Sequence, residues 1–249
     1  MTKYAALLLA GTGFPDGGDG ISELFLSHLD ERFLPQIVRY PAAGFGTGGI
    51  SWAKSRAAGK QALIDATRTT PYPAIWCGYS QGAGIAGDAA AEYGAGKHRD
   101  LEVVGCALIA DPGRPAGGTM PGVPAASGYG IVKSRPITGM PSWFAAVEGD
   151  PITSLPAGSS LRGIADTVDY FSLASPQDAL AWGFDLYDRA MRHNYQPFWK
   201  LEYWNQWGRA ARYAWNYLPP PLGGGLHTYA YRDQGLCVRL ADAVNKGVR

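Results

Sequence analysis

The chain is short of cysteine. Cys77, Cys106 and Cys237 are spread over 249 residues with no C-x-x-C pair. An odd, sparse set of this kind argues against a disulfide framework and a thiolate zinc site. Two of the three fall inside predicted strands and read as small buried hydrophobes. Charge of one sign is also missing. The 22 Lys and Arg against 21 Asp and Glu leave a net charge of +1, which gives no electrostatic reason to bind nucleic acid or an anionic membrane. No run approaches the roughly 18 apolar residues of a membrane span, so no integral membrane association is expected. A nucleotide loop is absent as well. Gly11-x-Gly13 is followed by Asp16 where a third glycine would stand, and no Gly-Lys-Ser/Thr occurs. No cluster of zinc ligands and no separate peptidoglycan-binding repeat is visible, so the expected chemistry uses neither metal nor cofactor.

Apolar residues are plentiful, at 46%, enough for a substantial core in one large α/β domain. The 34 glycines and 18 prolines imply many loops, but apolar strands interrupt them, which argues against disorder. The start, Met1 to Gly11, has one lysine and a short apolar run like the beginning of a signal peptide. The Gly-Thr-Gly that follows is no cleavage site, and Tyr4 to Leu9 reads instead as a first buried strand ending in the loop Ala10 to Phe14.

The most informative stretch is Gly78-Tyr79-Ser80-Gln81-Gly82, a G-x-S-x-G. Ala74 to Cys77 before it reads as a buried strand. The small residues Ala83 to Ala91 after it read as a closely packed helix. Strand, Gly-flanked turn and helix are the setting of a nucleophile elbow, which lifts a serine hydroxyl above the sheet and aims the next amide at a developing oxyanion. The plainer reading is a strand-to-helix turn with a capping serine.

Around this point the chain alternates. A helix is predicted over Ile21 to Phe33, a strand over Leu34 to Tyr40, and a Gly-rich loop over Pro41 to Gly49. A helix over Ser51 to Thr67 follows with Ser51 as N-cap, then strands over Leu101 to Ala110 and Ser142 to Glu148. The fold class is therefore α/β, three-layered, with a central, mostly parallel sheet. Active sites in such sheets lie beyond the carboxyl ends of the strands, where Ser80, Asp111 and Asp150 all fall.

A serine needs a base, and the base an orienting acid. Of four histidines, His28 lies on an amphipathic helix, His98 in a charged surface stretch and His193 in a helical segment. His227 stands in the Gly-rich loop Leu222 to Thr228 ahead of a C-terminal helix, the place for the base in the order Ser, Asp, His. Asp150 and Asp111 compete for the acid. Asp150 ends the strand after next from the elbow, the more usual position. Asp111 is then structural, an Asp-Pro turn partnered by Arg114, and Glu148 is still within its strand. Gln81 and either Thr12 or Gly13 supply the oxyanion amides.

These motifs resemble the α/β-hydrolase superfamily, in particular its cutinase-like serine esterases. Over nearly the whole chain the sequence is similar to the lysin B esterases of phages that infect mycobacteria and related actinobacteria. The Leu-Ala-Gly-Thr-Gly start, Gly78 to Gly84, Asp111-Pro112-Gly113-Arg114, an aromatic helical insert and Gly223 to Tyr229 carry the likeness. The resemblance implies Ser80 as nucleophile, Asp150 as acid and His227 as base. It implies an esterase that cuts mycolic acids from arabinogalactan, made in the host cytoplasm without a signal peptide and acting on the host envelope at lysis. A general lipase or carboxylesterase is the main alternative. A non-catalytic wall-binding module is a further one, and a peptidoglycan amidase or peptidase is disfavoured. The cysteines that flank the cutinase acid and histidine loops are absent here.

The core is expected over 1–160 and 219–249, with an insert over 161–218 that holds five of the eight tryptophans. Most of its aromatics read as helical packing. Trp204 and Trp207, neighbours on one helical face, are candidates for gripping a long acyl chain or a sugar ring. A monomer is expected.

Overall fold

The computed structural model describes residues 2–43, 50–159, 161–162, 212–213, 215–217 and 224–249. The insert, with Trp204, Trp207 and His193, lies for the most part outside the described residues. Five strands form the sheet: β1 (Tyr4–Leu9), β2 (Phe33–Ile37), β3 (Ala74–Tyr79), β4 (Val103–Ile109) and β5 (Ser142–Ala145). Their order is β2-β1-β3-β4-β5 and every pairing is parallel. The helices described in full are α1 (Ile21–Leu26), α2 (Trp52–Thr69), α3 (Gln81–Gly94), α4 (Tyr229–Asp233) and α5 (Leu236–Gly247).

The alternation of side chains along β1 divides the core in two. Tyr4, Ala6 and Leu8 pack with Phe25 of α1, Tyr231 of α4 and Leu240 and Val244 of α5. Ala5, Leu7 and Leu9 face the other way, onto Leu63 and Ile64 of α2 and Ala83, Ile85 and Ala86 of α3. Both faces are covered, so every residue of β1 and β3 is buried and neither strand shows a polar side. Burying one leucine of β1 contributes about 1.5–3 kcal/mol, and Leu8→Ala would cost about 2–5 kcal/mol. No helix of the described residues is long and apolar enough to cross a membrane.

Most predicted elements stand where the periodicity put them, with shorter ends. The first helix stops at Leu26 rather than at Phe33, because the Ser27 hydroxyl turns back onto the Leu24 carbonyl and the last amides make i−3 bonds. Phe33 opens β2, an edge strand that accommodates Pro35 because one side needs no partner. Ser51 does cap α2, accepting from the Lys54 amide at 3.2 Å. The last strand ends at Ala145, so Glu148 lies beyond it and bonds the Ser127 amide at 2.7 Å.

The strand order fixes where a site can form. From β1 the chain crosses to β2 on one side, then returns to β3 on the other. The crossovers diverge between β1 and β3, opening a crevice at their carboxyl ends. The loop after β1 and Ser80 after β3 border it.

Candidate active site

Ser80 joins β3 to α3 in a conformation that L-residues avoid, with φ 54° and ψ −117°. Holding a serine there costs about 1–3 kcal/mol, so the surroundings must impose it. The Ser80 amide donates to the Ile109 carbonyl at 2.9 Å, and its own carbonyl accepts from Gly84 at 3.0 Å. Steric need explains the flanking glycines. A Cβ on Gly78 would lie 2.4 Å from the Gly82 backbone, and one on Gly82 would lie 1.9 Å from the Leu9 carbonyl oxygen. The Ser80 side chain makes no cap bond to α3, which disposes of the capping reading and leaves its hydroxyl for another partner. The first amides of α3 also lack intrahelical acceptors and carry the positive end of the helix dipole.

The Gln81 side chain ties the β1 loop to this turn. Its Nε2 donates to the Ala43 carbonyl at 2.9 Å, and its Oε1 accepts from the Thr12 hydroxyl at 3.3 Å. The Tyr40 hydroxyl donates to the Ala10 carbonyl at 2.7 Å, and burial holds that phenol far above its ordinary range. Gly11 packs on Tyr79 and Ser80, and its amide is given to Asp19 at 3.2 Å. The Gly13 amide donates to Ala42 at 2.8 Å, so in this structure it is engaged within the loop. The Thr12 amide has no acceptor among the described residues. Asp19, which also bonds the Ile21 and Ser22 amides and so starts α1, is a loop-shaping residue that the sequence reading missed.

His227 reaches Ser80 from the far end of the chain. Its Nε2 lies 2.9 Å from Ser80 Oγ, and its Nδ1 lies 3.2 and 3.1 Å from Asp150 Oδ1 and Oδ2. An ionised carboxylate only accepts, so Nδ1 carries the proton and Nε2 is left to accept from the serine hydroxyl. Asp150 is fully buried. Its Oδ1 accepts from the Ile152 amide at 3.0 Å and its Oδ2 from the Tyr231 hydroxyl at 2.6 Å. The Tyr79 ring stacks on the imidazole at 5.7 Å, and its hydroxyl donates to the His227 carbonyl at 3.0 Å. The Tyr217 ring lies 5.2 Å from the imidazole. Asn216 links the two loops: its Nδ2 donates to the Gly149 carbonyl at 3.0 Å, and its carbonyl accepts from Leu226 at 2.8 Å. Such an array can move a proton from Ser80 to His227 while Asp150 stabilises the imidazolium.

Asp111 sits apart from this relay. It pairs with Arg135 at 2.6 Å and accepts from the Gly113 amide at 2.8 Å. Its partner is therefore Arg135, not Arg114. Arg114, fully buried, spends its guanidinium on backbone carbonyls, among them those of Thr153 at 2.7 Å and Gly118, Ala126 and Gly128 at 3.0 Å. It braces the segment that follows Asp150. Among the described residues no group of three or more His, Cys, Asp or Glu is placed to hold a metal, and all three cysteines are buried and free.

Fold and site together define an α/β-hydrolase scaffold carrying a serine–histidine–aspartate array at its switch point. In structure the chain is similar to lysin B from Mycobacteriophage D29, with 20% identity and a TM-score of 0.50, covering 69% of this chain and 75% of that one. Weaker likenesses are to the catalytic core of acetyl xylan esterase from Trichoderma reesei (18% identity, TM-score 0.46, 77% and 95% covered) and to a cutinase-like protein from Cryptococcus sp. (18%, 0.45, 76% and 90%). No protein-family model matches the chain, and no curated protein matches it in sequence.

Proposed function

We propose that this protein is a cutinase-like serine esterase whose substrate is the ester between mycolic acids and arabinogalactan in the envelope of a phage-infected host. The observation that carries the reaction class is the 2.9 Å approach of Ser80 Oγ to His227 Nε2 on a strained elbow. His227 takes the Ser80 proton as Oγ adds to the ester carbonyl. The amides of Gln81 and Thr12 hold the oxyanion. Collapse breaks the bond to the sugar oxygen, which takes a proton from His227 and leaves as the hydroxyl. Water, deprotonated by the same imidazole, then adds to the acyl carbonyl; the Oγ–acyl bond breaks, the fatty acid leaves and His227 returns the proton to Ser80.

The substrate assignment draws on the motif resemblance and on the likeness to lysin B. On this reading the protein acts at the cell envelope late in infection. The test is mass spectrometry of lipids freed from isolated mycolated cell walls. Wild type should release mycolate and Ser80→Ala should not. Hydrolysis of simple soluble esters without mycolate release would leave a general carboxylesterase and remove the cell-wall substrate.

A further inference from the structure

We infer that Tyr231 is a positioning residue for the reaction, setting the basicity of His227 through its hydrogen bond to Asp150. The proposal rests on the reading of Ser80, His227 and Asp150 as a catalytic relay.

The geometry is specific. Tyr231 lies four residues after His227, on the first turn of α4, and its side chain is fully buried. Its hydroxyl donates to Asp150 Oδ2 at 2.6 Å, and the same oxygen stands 3.1 Å from His227 Nδ1. One carboxylate oxygen is thus shared between imidazole and phenol. The other oxygen also faces the imidazole, and it accepts from the Ile152 amide as well. A short bond from a neutral donor to a buried carboxylate is strong. It draws negative charge toward the phenol and away from the imidazole, and it fixes the plane in which the carboxylate meets Nδ1. Burial, reinforced by the Asp150 charge, holds the phenol far above its ordinary range, so Tyr231 stays a donor and does not become a second anion.

Among the described residues no other side-chain donor is placed to substitute. Among the described residues, the titratable or charged groups around the relay on neighbouring elements are otherwise engaged. Tyr79 of β3 stacks on the imidazole with its hydroxyl turned to the His227 carbonyl, and Tyr217 packs on the ring. Arg114 is committed to backbone carbonyls, although its charge is felt at Asp150 and Tyr231. Asp19 acts on Tyr79 at longer range. Among the described residues only Tyr231 gives a side-chain hydrogen bond from outside the relay to the carboxylate.

Removing the hydroxyl has a signed consequence. In Tyr231→Phe the Asp150 charge is less shared, so it stabilises the imidazolium more. The acid limb of kcat/KM should move up by about half to one pH unit, and kcat on the plateau should fall about tenfold as the carboxylate loses its fixed plane. The opposite change can also be made. Ring-fluorinated tyrosine at position 231 donates more strongly and should move the limb down.

The experiment pairs these pH profiles with NMR titration of the His227 imidazole in the free protein, for wild type, Tyr231→Phe and Tyr231→3-fluorotyrosine. Opposite displacements of the His227 titration for the two replacements support the proposal. A His227 titration unmoved in both variants, with only a lower melting temperature, would reduce Tyr231 to packing and overturn it. The NMR readout needs no turnover, so it is separate from the relay reading itself. That reading fails instead if Ser80→Ala retains ester hydrolysis.

Discussion

Arg135 donates to the Asp111 carboxylate at 2.6 Å, and both side chains are buried beneath the start of α3. The same guanidinium reaches Asp88 at 3.0 Å and the Gly84 carbonyl at 3.3 Å. It therefore joins the turn after β4 to the helix that carries the elbow. A Cβ on Gly87 would meet the guanidinium at 1.7 Å, so that helix is smooth where the arginine lies. Two aspartates beyond neighbouring strands thus do different work. Asp111 holds the scaffold, and Asp150 faces the imidazole.

Exchanging each for a neutral residue should separate those roles. Asp111→Ala leaves Arg135 with Asp88 as its one carboxylate partner among the described residues. The expected loss is about 3 kcal/mol of stability, near the lower end for breaking a buried pair. kcat at a temperature where the variant is folded should stay within a few-fold of wild type. Asp150→Asn should leave the melting temperature nearly unchanged and lower kcat by about 10⁴, because the amide favours the wrong imidazole tautomer. Thermal melts and ester kinetics on both variants check this, and exchanged effects would make Asp111 the acid.

Ser80 is expected to trade stability for chemistry. Its φ of 54° is a strain that glycine does not feel, and its side chain makes no cap bond. Ser80→Gly should abolish turnover by about 10³ or more and yet raise the melting temperature by about 2–4 °C. Differential scanning calorimetry decides it. A lower melting temperature than wild type would mean that the turn is not strained.

Acid should expose the charge network on α3. Asp88 faces Arg56, Lys133 and Arg135, and although burial alone would raise its pKa, these cations hold it below the ordinary 3.8. A carboxylate with a depressed native pKa contributes stability that is present above the unfolded value and is lost as pH falls through the native one. Asp88→Asn should therefore melt below wild type at neutral pH, with the gap closing below about pH 3.8. Parallel melting curves across that range would show that the cations do not stabilise the charged form.

The elbow was legible because its requirements are local. An apolar strand, Gly78, Ser80, Gly82 and a run of small residues sit within one short stretch, and sterics leave few other uses for them. The C-terminal position of the Gly-rich His227 loop was legible for the same reason. Contacts that depend on chain return were not. Arg135 reaches Asp111 across 24 positions and Asp88 across 47, and nothing near any of the three announces the others. Tyr231 looks like a core aromatic until Asp150 arrives from 81 residues away. The sequence overextends the first helix because Ile21, Leu24, Phe25, His28 and Leu29 keep a helical period. That period cannot register a serine that bonds its own turn. Gly13 was a fair oxyanion candidate by position, and only the fold shows that its amide is given to Ala42.

The described wall of the site beside the base offers the last test. Tyr217 packs on the His227 ring while 39% of its surface stays exposed. Trp215, two residues before it, is 56% exposed. An aromatic ring left partly open beside the base suits an acyl chain that lies across it, whereas a ring that only fills space treats all substrates alike. Each methylene so covered contributes up to about 0.8 kcal/mol, and esters from about four to about sixteen carbons span enough of them to read. Part of that energy would go to placing the carbonyl over Ser80, so long esters should lose kcat as well as affinity. Tyr217→Ala also removes a ring from the imidazole, and that effect is common to every substrate. The measurement is therefore the ratio of wild-type to variant kcat/KM along the series. A ratio that grows with chain length supports an acyl-binding wall. A constant ratio would leave Tyr217 as a support for His227 and move acyl recognition elsewhere in the chain.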